Sequence, residues 1–168
     1  TAGTTGRGLS IESLSAAVSS NPNALELNAH VQNIGWQGWK TGQCGTTGQG
    51  LQIEAVKIRL TGSMKDKYDV YYRVHSANFG WLDWAKNGEA AGSQGYSYGV
   101  QAIEIQLVEK DGKAPGKTST PFRQPLVSYQ AHVANIGWMG SVYDGKLAGT
   151  TGRNLSMEAL KLSLSDGL

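Results

Sequence analysis

One stretch of eight residues occurs three times in this sequence of 168 residues. It reads AHVQNIGW at positions 29–36, VHSANFGW at 74–81 and AHVANIGW at 131–138. All three histidines of the protein occupy the second position of this stretch. Self-similarity of this kind is typical of a protein built from repeated structural units.

A second segment occurs four times and begins with a glycine-flanked turn. The turn reads GTTG at 3–6, 45–48 and 149–152, and GSQG at 92–95. The chain therefore holds three full units and the second half of another. We expect a partial repeat at 1–20, repeat 1 at 21–64, repeat 2 at 65–110, a linker with proline and glycine at 111–125, and repeat 3 at 126–168, together forming one compact domain.

The apolar residues follow the period of β-strands. Alternate positions are apolar over 25–31 and 70–74, a spacing that a helix does not produce. After each turn the alternation changes phase, as between positions 51–53 and 56–60 of repeat 1. This change predicts a β-bulge, or a bend from one sheet to the next.

These features predict an all-β chain of short strands. Three similar units favour a closed pseudo-threefold body, either a β-trefoil or a β-prism, because closure removes exposed strand edges. An open tandem array of small β units is the alternative.

Composition excludes several classes of protein. Charged residues make up 17% of the chain and hydrophobic residues 39%, which argues against intrinsic disorder. The net charge of +2, without a basic cluster, argues against a nucleic-acid partner. No apolar run is long enough for a membrane-spanning helix. The single cysteine, Cys44, takes a position held by alanine in the other units and is expected to be a small apolar filler.

The repeated residues resemble the clostridial hydrophobic repeat with a conserved tryptophan, the ChW repeat. Residues 29–60 match its pattern of HVQNIGW, a second tryptophan, GTTG and LxIEA nearly letter for letter. Repeat 2 departs from the pattern at Ser93, Gln94 and Gln101. The resemblance implies a secreted or cell-surface protein of a Gram-positive bacterium, with a proposed role in binding carbohydrate or in adhesion. It implies no catalytic residues and no cofactor.

The tryptophans are the candidate ligand-binding residues, because an indole ring lies well against the apolar face of a sugar. Trp36, Trp81 and Trp138 recur in every unit, which favours a position in the core over contact with a ligand. The second tryptophan of each unit is replaced by Ser141 in repeat 3, so it is expected outside the core. The candidates in order of preference are Trp39, Trp84, Tyr143, Trp36, Trp81 and Trp138.

The recurring histidines and acids are expected to be structural. His30, His75 and His132 could bind a metal near a threefold axis, but no carboxylate or thiolate stands at ligand spacing. Hydrogen bonds to backbone, or to the asparagine three residues later, explain the recurrence better; the asparagines are Asn33, Asn78 and Asn135. We expect no metal.

The acid of each unit follows the LxI pattern, at Glu12, Glu54 and Glu158, with Gln101 once in its place. An amide cannot transfer a proton, so we expect these residues to hold turn N–H groups. The protein is therefore expected not to be an enzyme.

Two functions remain open. The first is a non-catalytic extracellular or cell-surface module that binds polysaccharide or another surface macromolecule. The second is a structural or self-assembling surface element, such as a spacer, an adhesin or a fibre component. In that case the extra strand of residues 1–20 would pair with other chains.

Overall fold

The structure is a computed structural model that describes residues 1–164. It contains two compact units, residues 1–123 (unit 1) and 124–168 (unit 2). Almost all regular structure is β, which confirms the all-β prediction. The choice among trefoil, prism and open array, the repeat boundaries and the single compact domain stay predictions.

Unit 1 contains thirteen strands among the described residues, with one 3-10 turn at Pro22–Ala24 and one short helix, α1 (Met64–Lys67). The strands are β1 (Ala2–Gly3), β2 (Ser13–Ser15), β3 (Leu25–Val31), β4 (Gly35–Trp36), β5 (Lys40–Thr41), β6 (Gln43–Gly45), β7 (Ile53–Leu60), β8 (Tyr68–Ser76), β9 (Gly80–Trp81), β10 (Ala85–Lys86), β11 (Ala91–Ser93), β12 (Val100–Glu109) and β13 (Phe122–Arg123).

These strands form three sheets. One has the order β1-β12-β8-β10, with β9 also paired to β8. The second has the order β13-β11-β7-β3-β4, with β5 also paired to β3. The third contains only β2 and β6. All pairs are antiparallel except β11 with β13, which is parallel. Strand β13 falls within the linker predicted at 111–125, so the linker contributes a strand to unit 1.

Unit 2 contains repeat 3. Its described strands are β14 (Val127–Val133), β15 (Gly137–Trp138), β16 (Val142–Tyr143) and β17 (Met157–Leu164). The central strand β14 pairs with the other three. Among the helices of residues 1–164, none has the length and apolar character needed to cross a membrane.

Each repeat is built on one long antiparallel pair: β3 with β7, β8 with β12, and β14 with β17. The predicted bulge is confirmed in all three, because the pairing skips one residue there. In repeat 1, His30 pairs with Ala55 and Val31 with Ile53, which leaves Glu54 unpaired. The skipped residues in repeats 2 and 3 are Gln101 and Glu158.

The contacts between repeats of unit 1 form a closed cycle. In unit 1, the glycine that begins each turn lies opposite the residue that follows Glu54, Gln101 or the equivalent Glu12 in another member. Gly45 of repeat 1 pairs with Ser13 of the partial repeat, and Gly92 of repeat 2 pairs with Ala55 of repeat 1. Gly3 of the partial repeat pairs with Ala102 of repeat 2, which completes the cycle. Residues 1–20 therefore take one of three equivalent places.

The core of unit 1 lies inside this cycle. Its buried side chains come from all three members, as with Leu14, Val56 and Ile103. Cys44 is also buried there, as expected for an apolar filler. Both strands of the partial repeat, β1 and β2, are paired within unit 1.

Candidate functional site

The same group of four side chains occurs on each repeat and is called here the His–Trp cluster. It consists of the bulge residue, the recurring histidine, the recurring tryptophan and one cationic side chain. The members are Glu54, His30, Trp36 and Lys57 in repeat 1, Gln101, His75, Trp81 and Arg73 in repeat 2, and Glu158, His132, Trp138 and Lys161 in repeat 3.

Local backbone geometry brings the histidine and the tryptophan together. A tight turn folds the Gly-Trp strand back on the first strand, so that His30 and Trp36 pair across the ladder. The asparagine of each turn, such as Asn33, has a φ near 63°, which asparagine tolerates better than most residues. Asn78 and Asn135 have the same conformation. The three asparagines are therefore needed for the shape of the turn.

The bulge directs its residue toward the histidine. His30 Nδ1 lies 3.2 Å from Glu54 Oε2, and His132 Nδ1 lies 3.0 Å from Glu158 Oε2. In repeat 2, His75 Nδ1 is 3.0 Å from the amide oxygen of Gln101. At Nδ1, therefore, the expected bond to backbone or to the asparagine three residues later is wrong. The expectation that Glu54 and Glu158 hold turn N–H groups is wrong as well, since both face an imidazole; for Glu12, whose partial repeat has no histidine, it stays a prediction.

The tryptophan ring meets the imidazole edge to face. The ring centroids are 5.3, 5.5 and 5.3 Å apart in repeats 1 to 3, at interplanar angles of 75°, 83° and 78°. Such aromatic pairs add stability beyond their buried area, about 0.5–1.5 kcal/mol each. The histidine therefore positions the indole, and the bulge residue positions the histidine.

A cation lies over each of these indole rings. The distance from the charged group to the ring centroid is 4.5 Å for Lys57, 4.8 Å for Arg73 and 4.2 Å for Lys161. Lys57 and Lys161 occupy the same position, three residues after the bulge. In repeat 2 that position is Glu104, and the cation comes from the neighbouring strand through Arg73, whose Nε is 2.7 Å from Glu104 Oε2.

None of the recurring tryptophans belongs to the buried core, so their expected core position is wrong. Trp36 and Trp81 are half-buried, and Trp138 is 43% exposed. The reason is the strand register, because each tryptophan lies opposite a histidine. Side chains alternate between the two faces of a strand, so the histidine lies on the face opposite the apolar residues of its strand, such as Ala29 and Val31.

Of the two second tryptophans, Trp84 is buried and Trp39 is half-buried. Trp84 is 8% exposed, so the expectation that it lies outside the core is wrong. The linker packs on Trp84. The backbone N–H of Trp84 donates to the carbonyl of Lys117, and Gly116 lies close to the indole. Trp39 is half-buried beneath Arg59, whose guanidinium carbon is 4.1 Å from the ring centroid. Tyr143, in β16, lies opposite Ser128 and is half-buried.

No group of three or more histidine, cysteine, aspartate or glutamate side chains close enough to share a metal ion is found within residues 1–164.

The cations of the clusters are the residues that the sequence did not single out. Lys57 and Lys161 share a spacing that a comparison of the repeats reveals. Arg73 is on the other strand of its pair, so only the structure relates it to them.

Comparison with known proteins gives one match. The family model described as Clostridial hydrophobic W, ChW, matches residues 30–62, 75–109 and 132–166. Each matched segment begins at the histidine of a His–Trp cluster. No curated protein and no solved structure is detectably similar to the chain.

Proposed function

Because the chain belongs to the ChW (Clostridial hydrophobic W) family and contains three of its repeats, we propose that it is a non-catalytic extracellular module that binds polysaccharide. The His–Trp clusters are its binding sites. The observation that carries this proposal is the recurrence of a partly exposed indole with a cation over it in all three repeats. The cation is retained in repeat 2 although it comes from a different strand.

The chemistry of the cluster suits a polysaccharide that carries acid groups. An indole offers a flat apolar surface for the C–H groups of a sugar ring. A lysine or arginine beside it donates hydrogen bonds to carboxylate oxygens, and charge makes those bonds stronger than neutral ones. Lys57 and Lys161 have long, flexible side chains, so each can move from the indole to the acid group of a ligand.

Three separate sites in one chain suit a polymer better than a single sugar. Each cluster alone would bind weakly, because an aromatic contact contributes about 0.5–1.5 kcal/mol. A polymer that reaches two clusters at once gains affinity through the high effective concentration of the second site. Extracellular location belongs to the same proposal, since polysaccharides of this kind are found outside cells.

The test is co-precipitation or isothermal titration with polygalacturonate, an acidic polymer, and dextran, a neutral one. The wild-type chain should bind polygalacturonate more tightly, and the affinity should fall as salt is added. Trp36→Ala, Trp81→Ala and Trp138→Ala combined should weaken binding by at least tenfold. Failure of the wild-type chain to bind either polymer would overturn the function.

Trp39→Ala is the matched control, because it removes a half-buried indole with a cation over it that lies outside the His–Trp clusters. It should bind like wild type. If Trp39→Ala abolishes binding and the triple variant does not, the site belongs to the second tryptophan instead. Lys57→Gln with Lys161→Gln should reduce the preference for the acidic polymer, since Arg73 of repeat 2 keeps its charge, while leaving weak binding to both.

The alternative function is a structural surface element that associates with other chains. The strand expected to mediate it, in residues 1–20, is paired within unit 1 through β1 and β2. A different part of the chain, repeat 3, has the surface that favours association.

A further inference from the structure

Strand β17 of repeat 3 exposes an apolar strip. Met157, Leu160, Leu162 and Leu164 are each more than half exposed, and the three leucines alternate along one face of the strand. The intervening residues Ala159, Lys161 and Ser163 belong to the other face. An apolar strip of this kind on a protein surface commonly marks an interface.

The equivalent residues of repeat 1 show what covers such a strip. Ile53, Val56, Ile58 and Leu60 are buried in the core shared with repeat 2 and with residues 1–20. The covering elements are therefore other units of the same kind.

Repeat 2 shows the same rule within a single strand. Val100 and Ile103 are buried where neighbouring units lie against β12. Ile105 and Leu107, farther along, are exposed and line a cavity of about 490 Å³ together with Ala16 and Val18 of the partial repeat. This face is buried where a neighbouring unit packs directly against it and exposed where a cavity separates the two units.

Repeat 3 also has both halves of the contact that joins units in unit 1. There the first glycine of a turn lies opposite the residue after a bulge, as Gly92 does with Ala55. The corresponding residues of repeat 3 are Gly149 and Ala159. Within the part of unit 2 that the structure describes, Ala159 pairs only with His132, and the sole atom near the missing Cβ of Gly149 is the Cβ of Ala131, at 3.9 Å.

We propose that repeat 3 is a trimerisation element, in which the repeat 3 units of three copies of this chain associate head to tail. The turn at 149–152 of each copy pairs with the bulge of the next copy, and the leucines of β17 meet in a shared core. The trimer closes because the same contact closes after three units in the cycle of unit 1. The proposal does not depend on polysaccharide binding.

Sedimentation equilibrium of the whole chain between about 1 and 100 µM tests the proposal. The expected mass is three times the 17.9 kDa of one chain. A chain that remains monomeric over this range, or that forms dimers, overturns it.

Two substitutions on β17, one on each face of the strand, test whether the apolar face forms the interface. Leu162→Lys introduces a charge at the proposed interface and should give a monomer. Ser163→Lys introduces the same charge on the opposite face and should remain trimeric. Circular dichroism of each variant shows whether its β structure is retained. If both variants stay trimeric, the leucine face is not the interface and the proposal is wrong.

Should Leu162→Lys fail to fold, Leu162→Asn provides a milder polar change with the same expectation of dissociation. Polygalacturonate binding by the folded monomeric variant distinguishes this proposal from the proposed function. The apolar strip lies on the face of β17 opposite Lys161, so the His–Trp clusters of the monomeric variant should still bind polygalacturonate. The affinity gained by joining three chains in a trimer should be lost. A trimer that binds no polysaccharide would leave the interface standing and overturn only the binding function.

Discussion

Gly92 lies directly against the backbone of Glu54. A Cβ on Gly92 would be 2.4 Å from the carbonyl oxygen of Glu54, and the φ of Gly92 is +122°. The same relationship joins Gly45 to Glu12 and Gly3 to Gln101, at 2.3 Å in both cases. These three close approaches hold the members of unit 1 together, and each requires a residue without a side chain.

Gly92→Ala should destabilise the chain by about 3 kcal/mol, because it adds left-handed backbone strain to a steric clash with Glu54. Urea unfolding followed by circular dichroism measures the change. Gly48→Ala is the control: Gly48 has a φ of +66° but no atom within 4 Å of the added Cβ. It should cost about 1 kcal/mol. Equal losses for the two variants would contradict the close contact.

Asp69→Asn should destabilise unit 1 by about 2 kcal/mol, because it removes a buried charge that is paired with two lysines. The carboxylate of Asp69 lies 2.8 Å from Lys86 Nζ and 2.9 Å from Lys110 Nζ. Both lysines are partly exposed and can be hydrated after the change, which limits the loss. Asp66→Asn, at an exposed position of α1, should have little effect in the same urea experiment.

The Asp69 pair should also make stability depend on pH. Burial disfavours the charged form, but hydrogen bonds from Lys86, Lys110, Asn87 and the backbone of Asp111 outweigh it and hold the pKa of Asp69 below its usual 3.8. The stabilisation is therefore complete above about pH 4 and is lost as the pH falls below it. The difference between wild type and Asp69→Asn should shrink from pH 5 to pH 2, and a constant difference would contradict the assignment.

Cys44 should resist thiol reagents in the folded protein. Burial raises the pKa of its thiol to about 11, although nearby Lys40 partly opposes this, so little thiolate forms at pH 8. Reaction with a chromogenic disulfide should occur only as the chain unfolds. Ser20→Cys adds an exposed thiol and should react at once, one equivalent per chain. Rapid reaction of two equivalents in that variant would show that Cys44 is accessible.

Glu54→Gln should change stability by less than about 0.5 kcal/mol, because Gln101 already fills the equivalent place beside His75 in repeat 2. Glu54→Ala should cost about 1–3 kcal/mol, since His30 Nδ1 loses the carboxylate oxygen that lies 3.2 Å away. Thermal unfolding of both variants makes the comparison. Glutamine as costly as alanine would mean that the negative charge of Glu54 is required.

Much of the repeat body was predictable because its signals are local. Alternating apolar residues predicted β3 and β8, and the change of phase after each turn predicted the bulge at Glu54, Gln101 and Glu158. Both depend only on the direction in which successive side chains of a strand point. The function of the bulge was not predictable, since its residue contacts a histidine on the partner strand.

The positions of the tryptophans in the fold could not be predicted from their recurrence. Recurrence indicated that Trp36, Trp81 and Trp138 matter to the unit, but it does not distinguish a core residue from one positioned at the surface by His30, His75 and His132. The burial of Trp84 depends on Gly116 and its neighbours, which lie far along the chain in a segment that repeat 1 lacks.

The amino-acid sequence by itself determined the repeats, the strand period, the turns and the family, because each is set by residues close together in the chain. Only the tertiary structure decided which units close on one another. The contact between Gly92 and Glu54 joins different repeats, and any unit with the same glycine and bulge could make it. For that reason residues 1–20 take a place in the cycle of unit 1, while the apolar strip of repeat 3 remains exposed.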